Sequence, residues 1–317
     1  MHARNQVENL NRRLPSPPSV MMFDVCVIGH ITRDIIRVKN LTKELPGGVA
    51  QYCSIACKNL GSKLYVITKC AEEDKVLLDD LVHENIPICY RNSEKTTTFE
   101  NTYLDGVTIR TQKVNSLAAP FGTDDIPDIS SRIFHLGPLT REDIPLELLR
   151  GLSKKSKVSL DIQGYLRKVD KGKITYVDWE EKDEGLTYVN ILKGDETEAR
   201  ILSGEQDLER AAVKLSTYGV DEIIITRGNK GSLVYSEGQL YPIPFFAPQR
   251  IVDPTGCGDT YMAGYIFKRL KSCTIEEAGR FAAAIAVLKL ERYGPFKGTE
   301  KDVEDFLEHQ LGKSGKG

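Results

Sequence analysis

The sequence predicts an α/β fold, with a mostly parallel β-sheet flanked by helices in three layers and a small second β-sheet beside it. Three observations lead there. Short apolar runs rich in β-branched residues alternate with helix-like stretches along most of the chain, the rhythm of a parallel sheet covered by helices. The first run, Phe23-Asp24-Val25-Cys26-Val27-Ile28-Gly29, is nearly continuous in apolar residues and stops at a glycine, as a buried strand does. One segment, 96–110, breaks the rhythm. It is β-branched and alternating, and the Asp105-Gly106 pair interrupts it. That is a hairpin signal in a half-exposed sheet.

The elements follow in order. After the strand at 23–29, residues 50–59 suggest a helix that ends before Gly61. Residues 64–67 form the next strand and 72–83 the next helix. Beyond the hairpin segment, strands are expected at 132–136, 158–161, 190–193 and 222–226. Helices are expected at 196–202, 208–217, 260–270 and 275–290. No internal repeat and no linker divides the body. We therefore expect one domain over 21–312, a polar extension over 1–20 and a flexible tail over 313–317.

Composition narrows the function classes. The chain has 317 residues, 40% hydrophobic and 28% charged, with a formal net charge of −2, ordinary for a globular protein with a sizeable core. Near-neutral charge supplies no field for nucleic acid or membrane, so attraction of a ligand must be local. The seven cysteines are odd in number and never spaced as Cys-x-x-Cys. They read as reduced thiols in a cytoplasmic protein rather than a disulfide framework or zinc site. No run of 18 apolar residues is present. Residues 1–20, with Arg4, Arg12, Arg13 and Pro15-Ser16-Pro17-Pro18, lack the apolar stretch of a secretory signal.

The segment with the most chemistry is Asp253-Pro254-Thr255-Gly256-Cys257-Gly258-Asp259, just ahead of a helix-like run. Its two glycines allow a tight turn and close approach of the backbone to a ligand. The following helix would present unpaired N–H groups and the positive end of its dipole. That is a cradle for a phosphate, with the Asp259 carboxylate beside it to take a proton from a hydroxyl. A glycine-rich turn with aspartate as a helix cap reads equally well at this point. A dinucleotide fingerprint fits worse, since no glycine stands three residues after Gly258.

The segment resembles the C-terminal signature of the ribokinase-like (PfkB) carbohydrate kinases, with Cys257 where alanine is usual. The resemblance implies Asp259 as catalytic base and the amides of Gly256, Cys257 and Gly258 as an anion hole. Other stretches resemble the family in the same order. Gly29-His30-Ile31-Thr32-Arg33-Asp34 is similar to its opening loop, which implies that Asp34 binds substrate hydroxyls. Gly47-Gly48-Val49-Ala50-Gln51-Tyr52 is similar to its Gly-Gly-x-x-x-Asn substrate loop, with Tyr52 for asparagine, implicating Gly47, Gly48 and Gln51. Lys193-Gly194-Asp195-Glu196-Thr197-Glu198 is similar to Asn-x-x-Glu. This implies Asp195 near the nucleotide and Glu198 holding Mg2+ through water, although an acidic first helical turn has the same composition.

Thr226-Arg227-Gly228-Asn229-Lys230-Gly231 is similar to the family's nucleotide loop, implicating Thr226, Gly228 and Gly231. The alanine-rich stretch 281–290 would then wall the adenine pocket. Residues near 31–46 and 95–115 resemble its β-sheet lid, a surface that implies a homodimer contact. The resemblance therefore implies ATP and Mg2+, with room for a monovalent cation beside them. It implies transfer of the γ-phosphoryl group to a hydroxyl of a small polyol or sugar, with no nucleic acid or membrane partner.

Asp161-Ile162-Gln163-Gly164-Tyr165-Leu166-Arg167 is similar to a segment of the myo-inositol kinase branch, as are Thr97-Thr98-Phe99-Glu100 and Tyr52. Myo-inositol is accordingly the first expectation, with Gln163 and Arg167 as substrate contacts. Nucleosides, ribose and fructose are the alternatives, as is a non-catalytic sugar or nucleotide sensor on the same fold. A P-loop reading of Gly312-Lys313-Ser314 fails because Leu307 stands where its first glycine is needed.

Overall fold

The computed structural model describes residues 21–38, 41–103 and 110–314. The polar extension 1–20, the Asp105-Gly106 turn and the last three residues lie outside the described residues.

The strands are β1 (Met22–Ile28), β2 (Thr32–Val38), β3 (Leu41–Gly47), β4 (Leu64–Cys70), β5 (Ile88–Asn92), β6 (Thr97–Tyr103), β7 (Arg110–Ser116), β8 (Ser130–Leu136), β9 (Lys157–Asp161), β10 (Arg167–Asp170), β11 (Lys173–Tyr176), β12 (Ile191–Asp195), β13 (Glu222–Thr226), β14 (Ser232–Ser236) and β15 (Gln239–Ile243). Nine form the main sheet in the order β15-β14-β13-β12-β9-β8-β1-β4-β5. Its pairings from β13 to β5 are parallel, and β14 and β15 add an antiparallel edge. Every residue of β4 is buried, and only the first and third residues of β1 are not. This explains why these strands read as continuous apolar runs.

Alternate side chains of each strand feed two cores. Val25, Val27, Val66 and Ile224 pack under the helices Val49–Asn59, Cys257–Leu270 and Ile275–Leu290. Cys26, Ile28, Ile67 and Ile223 face the helices Leu146–Ser153, Glu196–Ser203 and Leu208–Ser216. These are the three expected layers, and all seven cysteines are free thiols.

The second sheet has the order β10-β11-β7-β6-β2-β3. It contains the two expected strands of the hairpin segment, paired antiparallel. Its strands β3 and β11 are largely exposed, which matches their polar composition. The pair β10–β11 was not expected there, because Lys171-Gly172 at its turn carries a weaker signal than Asp-Gly. Lys171 has φ 48° and Gly172 φ 80°.

Two further departures are local. The expected helix 72–83 is a 3₁₀ segment, Glu72–Leu78, followed by a short α-helix, Asp79–His83. Buried Asp74 takes an ion pair from Arg33 of β2, tying that segment to the second sheet. The C-terminal helix Glu300–Ser314 runs past the expected start of a flexible tail. No helix among the described residues is long and apolar enough to cross a membrane.

Candidate active site

The carboxyl ends of β1, β9, β12 and β13 point toward one edge of the main sheet. In an open α/β sheet that edge is where ligands bind. Two cavities lie there. One, of 190 Å3, is lined by polar groups from both sheets, including Asp34, Asn101, Gln112, Asp161, Gln163 and Arg167. The other, of 660 Å3, is walled by Phe245, Phe246, Ile251, Ala283, Val287 and Leu290. Pro254, Cys257 and Gly258 line both, so the signature segment is the partition between them. A larger cavity of 740 Å3 opens at the opposite, amino-terminal ends of the strands, beside Met22, Lys157 and Glu222. None of the signature residues reaches it.

The signature turn is not side-chain capped. The N-cap of Cys257–Leu270 is Gly256, in the left-handed region at φ 73°, and no side chain bonds to the cap. A Cβ at this position would lie 2.1 Å from the Tyr52 ring, so glycine is required by both conformation and space. The Cys257 N–H reaches back to the Pro254 carbonyl at 3.3 Å. Those of Gly256 and Gly258 have no partner among the described residues, which leaves them available to an anion at a helix N-terminus. The alternative of an aspartate-capped turn is thereby set aside. Asp259 sits in the first turn, and its carboxyl faces the polar cavity.

Burial, reinforced by the charge of Asp161, pushes Asp259 from its usual 3.8 up to about 7, with Lys193 pulling the other way. A carboxyl poised near neutrality is suited to general-base work. The Lys193 ammonium is paired with Asp161 at 2.8 Å. Although burial opposes its charge, Asp161 and then Glu198 raise the lysine above its ordinary range. Burial also pushes the Cys257 thiol up to about 11, so it stays protonated and leaves the cradle uncharged.

Asp34, Gly48, Gln163 and Arg167 line the polar cavity. Thr32 donates to Asp34 at 2.8 Å. Asp161 accepts from the Gln163 N–H at 3.1 Å, and Arg167 is buried with its Nε unpartnered among the described residues. Two expected substrate residues fall outside it. Gly47 is covered by the Asp34 carboxylate, which occupies the space of a side chain there. Gln51 points into the body, where its amide donates to Asp80 at 2.7 Å. A helical Gln at that position turns away from the glycine loop by the periodicity of the helix itself.

On the other side, Thr226, Gly228 and Gly231 line the apolar cavity, as does the alanine-rich helix. Asp195 does not. Its carboxylate accepts from the Glu198 N–H at 2.8 Å, and Glu198 returns a bond to the Asp195 N–H at 2.8 Å. This reciprocal capping box engages the Asp195 N–H and its Oδ1. Glu198 lines neither cavity, but its Oε1 is buried without a partner among the described residues, and burial raises its affinity for a proton. A single orphaned carboxylate oxygen fits a hard cation held through water. No cluster of three acidic or metal-ligating side chains is present among the described residues.

Several cavity residues had no role in the sequence reading. Asn101 and Gln112 come from the second sheet, where Gln112 donates to Asn101 at 3.0 Å; only the pairing of β6 with β7 brings them together. Asp161, the acceptor of the segment that also carries Gln163 and Arg167, stands at the end of a parallel strand, where such sheets bind ligands. Lys193 gave no signal, because a lysine inside a short apolar run reads as a strand edge.

Comparisons with known proteins agree with this geometry. The pfkB family carbohydrate kinase model matches residues 170–302, a span that includes the signature turn. A solved pyrophosphate-dependent kinase of the ribokinase family, complexed with a pyrophosphate analog and myo-inositol, superposes with TM-score 0.80 at 31% identity, covering 88% of this chain and 99% of the other. A cytidine kinase from Thermococcus kodakarensis is 27% identical over 86% of this chain and 98% of its own length. The inositol 3-kinase of Arabidopsis thaliana is 24% identical over 88% and 77%. With the signature turn, the two-sheet architecture and a near-complete match at 31% identity in agreement, the chain belongs to the ribokinase-like PfkB family and is a small-molecule kinase.

Proposed function

We propose that this chain transfers the γ-phosphoryl group of ATP to a hydroxyl of a small cyclic polyol, myo-inositol being the first candidate. The observation that carries the reading is the partition: a small polar cavity and a larger apolar one meet at Gly256-Cys257-Gly258. The apolar cavity suits a nucleobase, whereas pyrophosphate has no group to fill it. The polar cavity, at 190 Å3, is below the roughly 300 Å3 at which drug-sized sites begin. That favours a single ring over a nucleoside. Its acceptors, Asp34 and Asp161, suit a ring with several hydroxyls, and Tyr52 and Phe99 offer apolar faces to its carbons.

In this reading the substrate hydroxyl stands between Asp259 and the cradle. Asp259 takes the proton as the oxygen attacks phosphorus, and the bond from the γ-phosphorus to the bridging oxygen of ADP breaks. The Gly256 and Gly258 amides, at the positive end of the helix dipole, hold the charge of the phosphoryl oxygens. Arg167, a planar donor fork without an acid partner among the described residues, would meet charge on substrate or product. Mg2+, held from Glu198 through water, would offset charge on the donor phosphates. The second sheet, carrying Asn101 and Gln112 over the cavity, acts as a lid that excludes water. Its exposed outer strands would carry any dimer contact.

The experiment is a phosphoryl-transfer screen. ATP and pyrophosphate are each offered with magnesium and a panel of inositols, ribose, fructose and nucleosides. ATP with an inositol should be the best pair, and Asp259→Asn should abolish turnover while ATP still binds. A nucleoside as best acceptor would overturn the polyol reading. Pyrophosphate as best donor would support a second reading, which the similarity to a pyrophosphate-dependent kinase favours. Tight ligand binding with no transfer to any acceptor would point to a sensor.

A further inference from the structure

Lys289 lies one residue before the end of the helix Ile275–Leu290, with 1% of its surface exposed. Its ammonium donates to the Asp253 carbonyl at 2.7 Å. It is also 3.0 Å from the Asp253 Oδ2 and 5.4 Å from the centroid of the Tyr52 ring. A carbonyl oxygen, a carboxylate oxygen and an aromatic face form a surround suited to a monovalent cation. Here the cation is tethered to the chain and cannot exchange with solvent.

The same carboxylate ties three segments together. Asp253 Oδ1 accepts from the Thr255 N–H at 3.0 Å, inside the signature turn. Oδ2 accepts from the Gly294 N–H at 3.2 Å, beyond the helix. The Val252 and Asp253 N–H groups both bond to the Leu290 carbonyl. On the far side, the Tyr52 ring presses on Gly256 at the start of the cradle. Without the ammonium, Asp253 would be a buried carboxylate held by amides alone, and the turn would lose the group that fixes its first residue.

We propose that Lys289 is a built-in monovalent cation, a positioning residue that sets the Asp253–Gly256 turn so that phosphoryl transfer requires no potassium or sodium from solution. The inference rests on the reading of that turn as the phosphate cradle. The charge also reaches the reacting groups. Lys289 is among the causes that lower the proton affinity of Asp259 and of Cys257, in each case against the larger effect of burial. The charged groups acting on Asp259 are Asp161, Lys193, Asp34 and Lys289, of which two are cations, and the neutral Tyr52, Cys53 and Cys257 also lie near it.

The test begins with the wild-type enzyme. Initial rates and calorimetric ATP affinity are measured in tetramethylammonium buffers with and without added potassium, sodium or ammonium. Both should be unchanged by the added ion. In Lys289→Met, kcat should fall on the order of a hundredfold, the scale for a displaced catalytic frame. The acid limb of its pH–rate profile should move to higher pH. In Lys289→Ala, ammonium, methylammonium or potassium should restore part of the lost rate and ATP affinity.

A wild-type enzyme that stalls without potassium overturns the proposal. So does a folded Lys289→Met that keeps its kcat and its acid limb, which would make the pair merely structural. If neither variant folds, the wild-type comparison decides alone. If no acceptor is phosphorylated, the kinase reading has failed, and the ion dependence of ATP affinity still judges Lys289.

Discussion

Removing the charge of Asp259 should stabilise the protein while stopping its chemistry, and the size of that effect follows from its surroundings. The carboxyl is pushed from 3.8 to about 7, first by burial and then by Asp161. A raised carboxyl binds its proton more tightly in the folded chain than in the unfolded one. Its contribution is therefore fully present below pH 3.8 and is lost as pH rises to about 7. At 1.36 kcal/mol per unit, the folded state loses up to about 4 kcal/mol by pH 8. Asp259→Asn, which cannot ionise, escapes that loss. Its melting temperature should match the wild type near pH 4 and exceed it by something on the order of 5–10 °C at pH 8. Thermal unfolding of both proteins from pH 4 to 8, without ligands, measures the difference. An increment that is absent, or equal at every pH, would refute the claim that the site holds this carboxylate at a cost.

Other expectations follow from the same geometry. The acid limb of kcat/KM should fall near pH 7, and Asp161→Asn should move it to lower pH by removing a charge that raises Asp259; an unmoved limb would remove Asp161 from that role. Gly256→Ala should destabilise by more than about 1 kcal/mol and cut turnover, because φ is 73° and the Tyr52 ring fills the space; a neutral variant in a denaturant titration would contradict the turn geometry. Ala286→Phe should fill the apolar cavity and raise the KM for ATP about tenfold or more with little change in acceptor KM; equal effects on both would mean the cavity is not the donor site.

The chain's layering was legible because burial on both faces of a parallel strand demands continuous apolar runs, and β1, β4 and β13 supply them. The signature turn was legible for a related reason. Left-handed backbone against an aromatic ring leaves only glycine at 256, and such a requirement is written in the sequence itself. Glu198 and Asp195 were harder. An acidic pair three apart at a helix start is a capping box as readily as a ligand set, and the structure shows the capping box, with one oxygen of Glu198 left over. Gln51 falls outside the polar cavity because proximity in sequence to a substrate loop does not fix which way a helical side chain points, and Gly47 because the Asp34 carboxylate covers it.

Local sequence thus determined the central strands of the main sheet, the starts of several helices and the glycine-rich turn, since these depend on periodicity and on backbone conformations only certain residues adopt. What the cavities contain was decided by tertiary structure. Asn101 and Gln112 meet Asp161 only through the second sheet, and Lys193 meets Asp161 only because β9 and β12 pair. Lys289 reaches Asp253 across 36 residues. Each is a charge or amide whose partner lies far along the chain, and pairing across such distances leaves no period in the sequence to read.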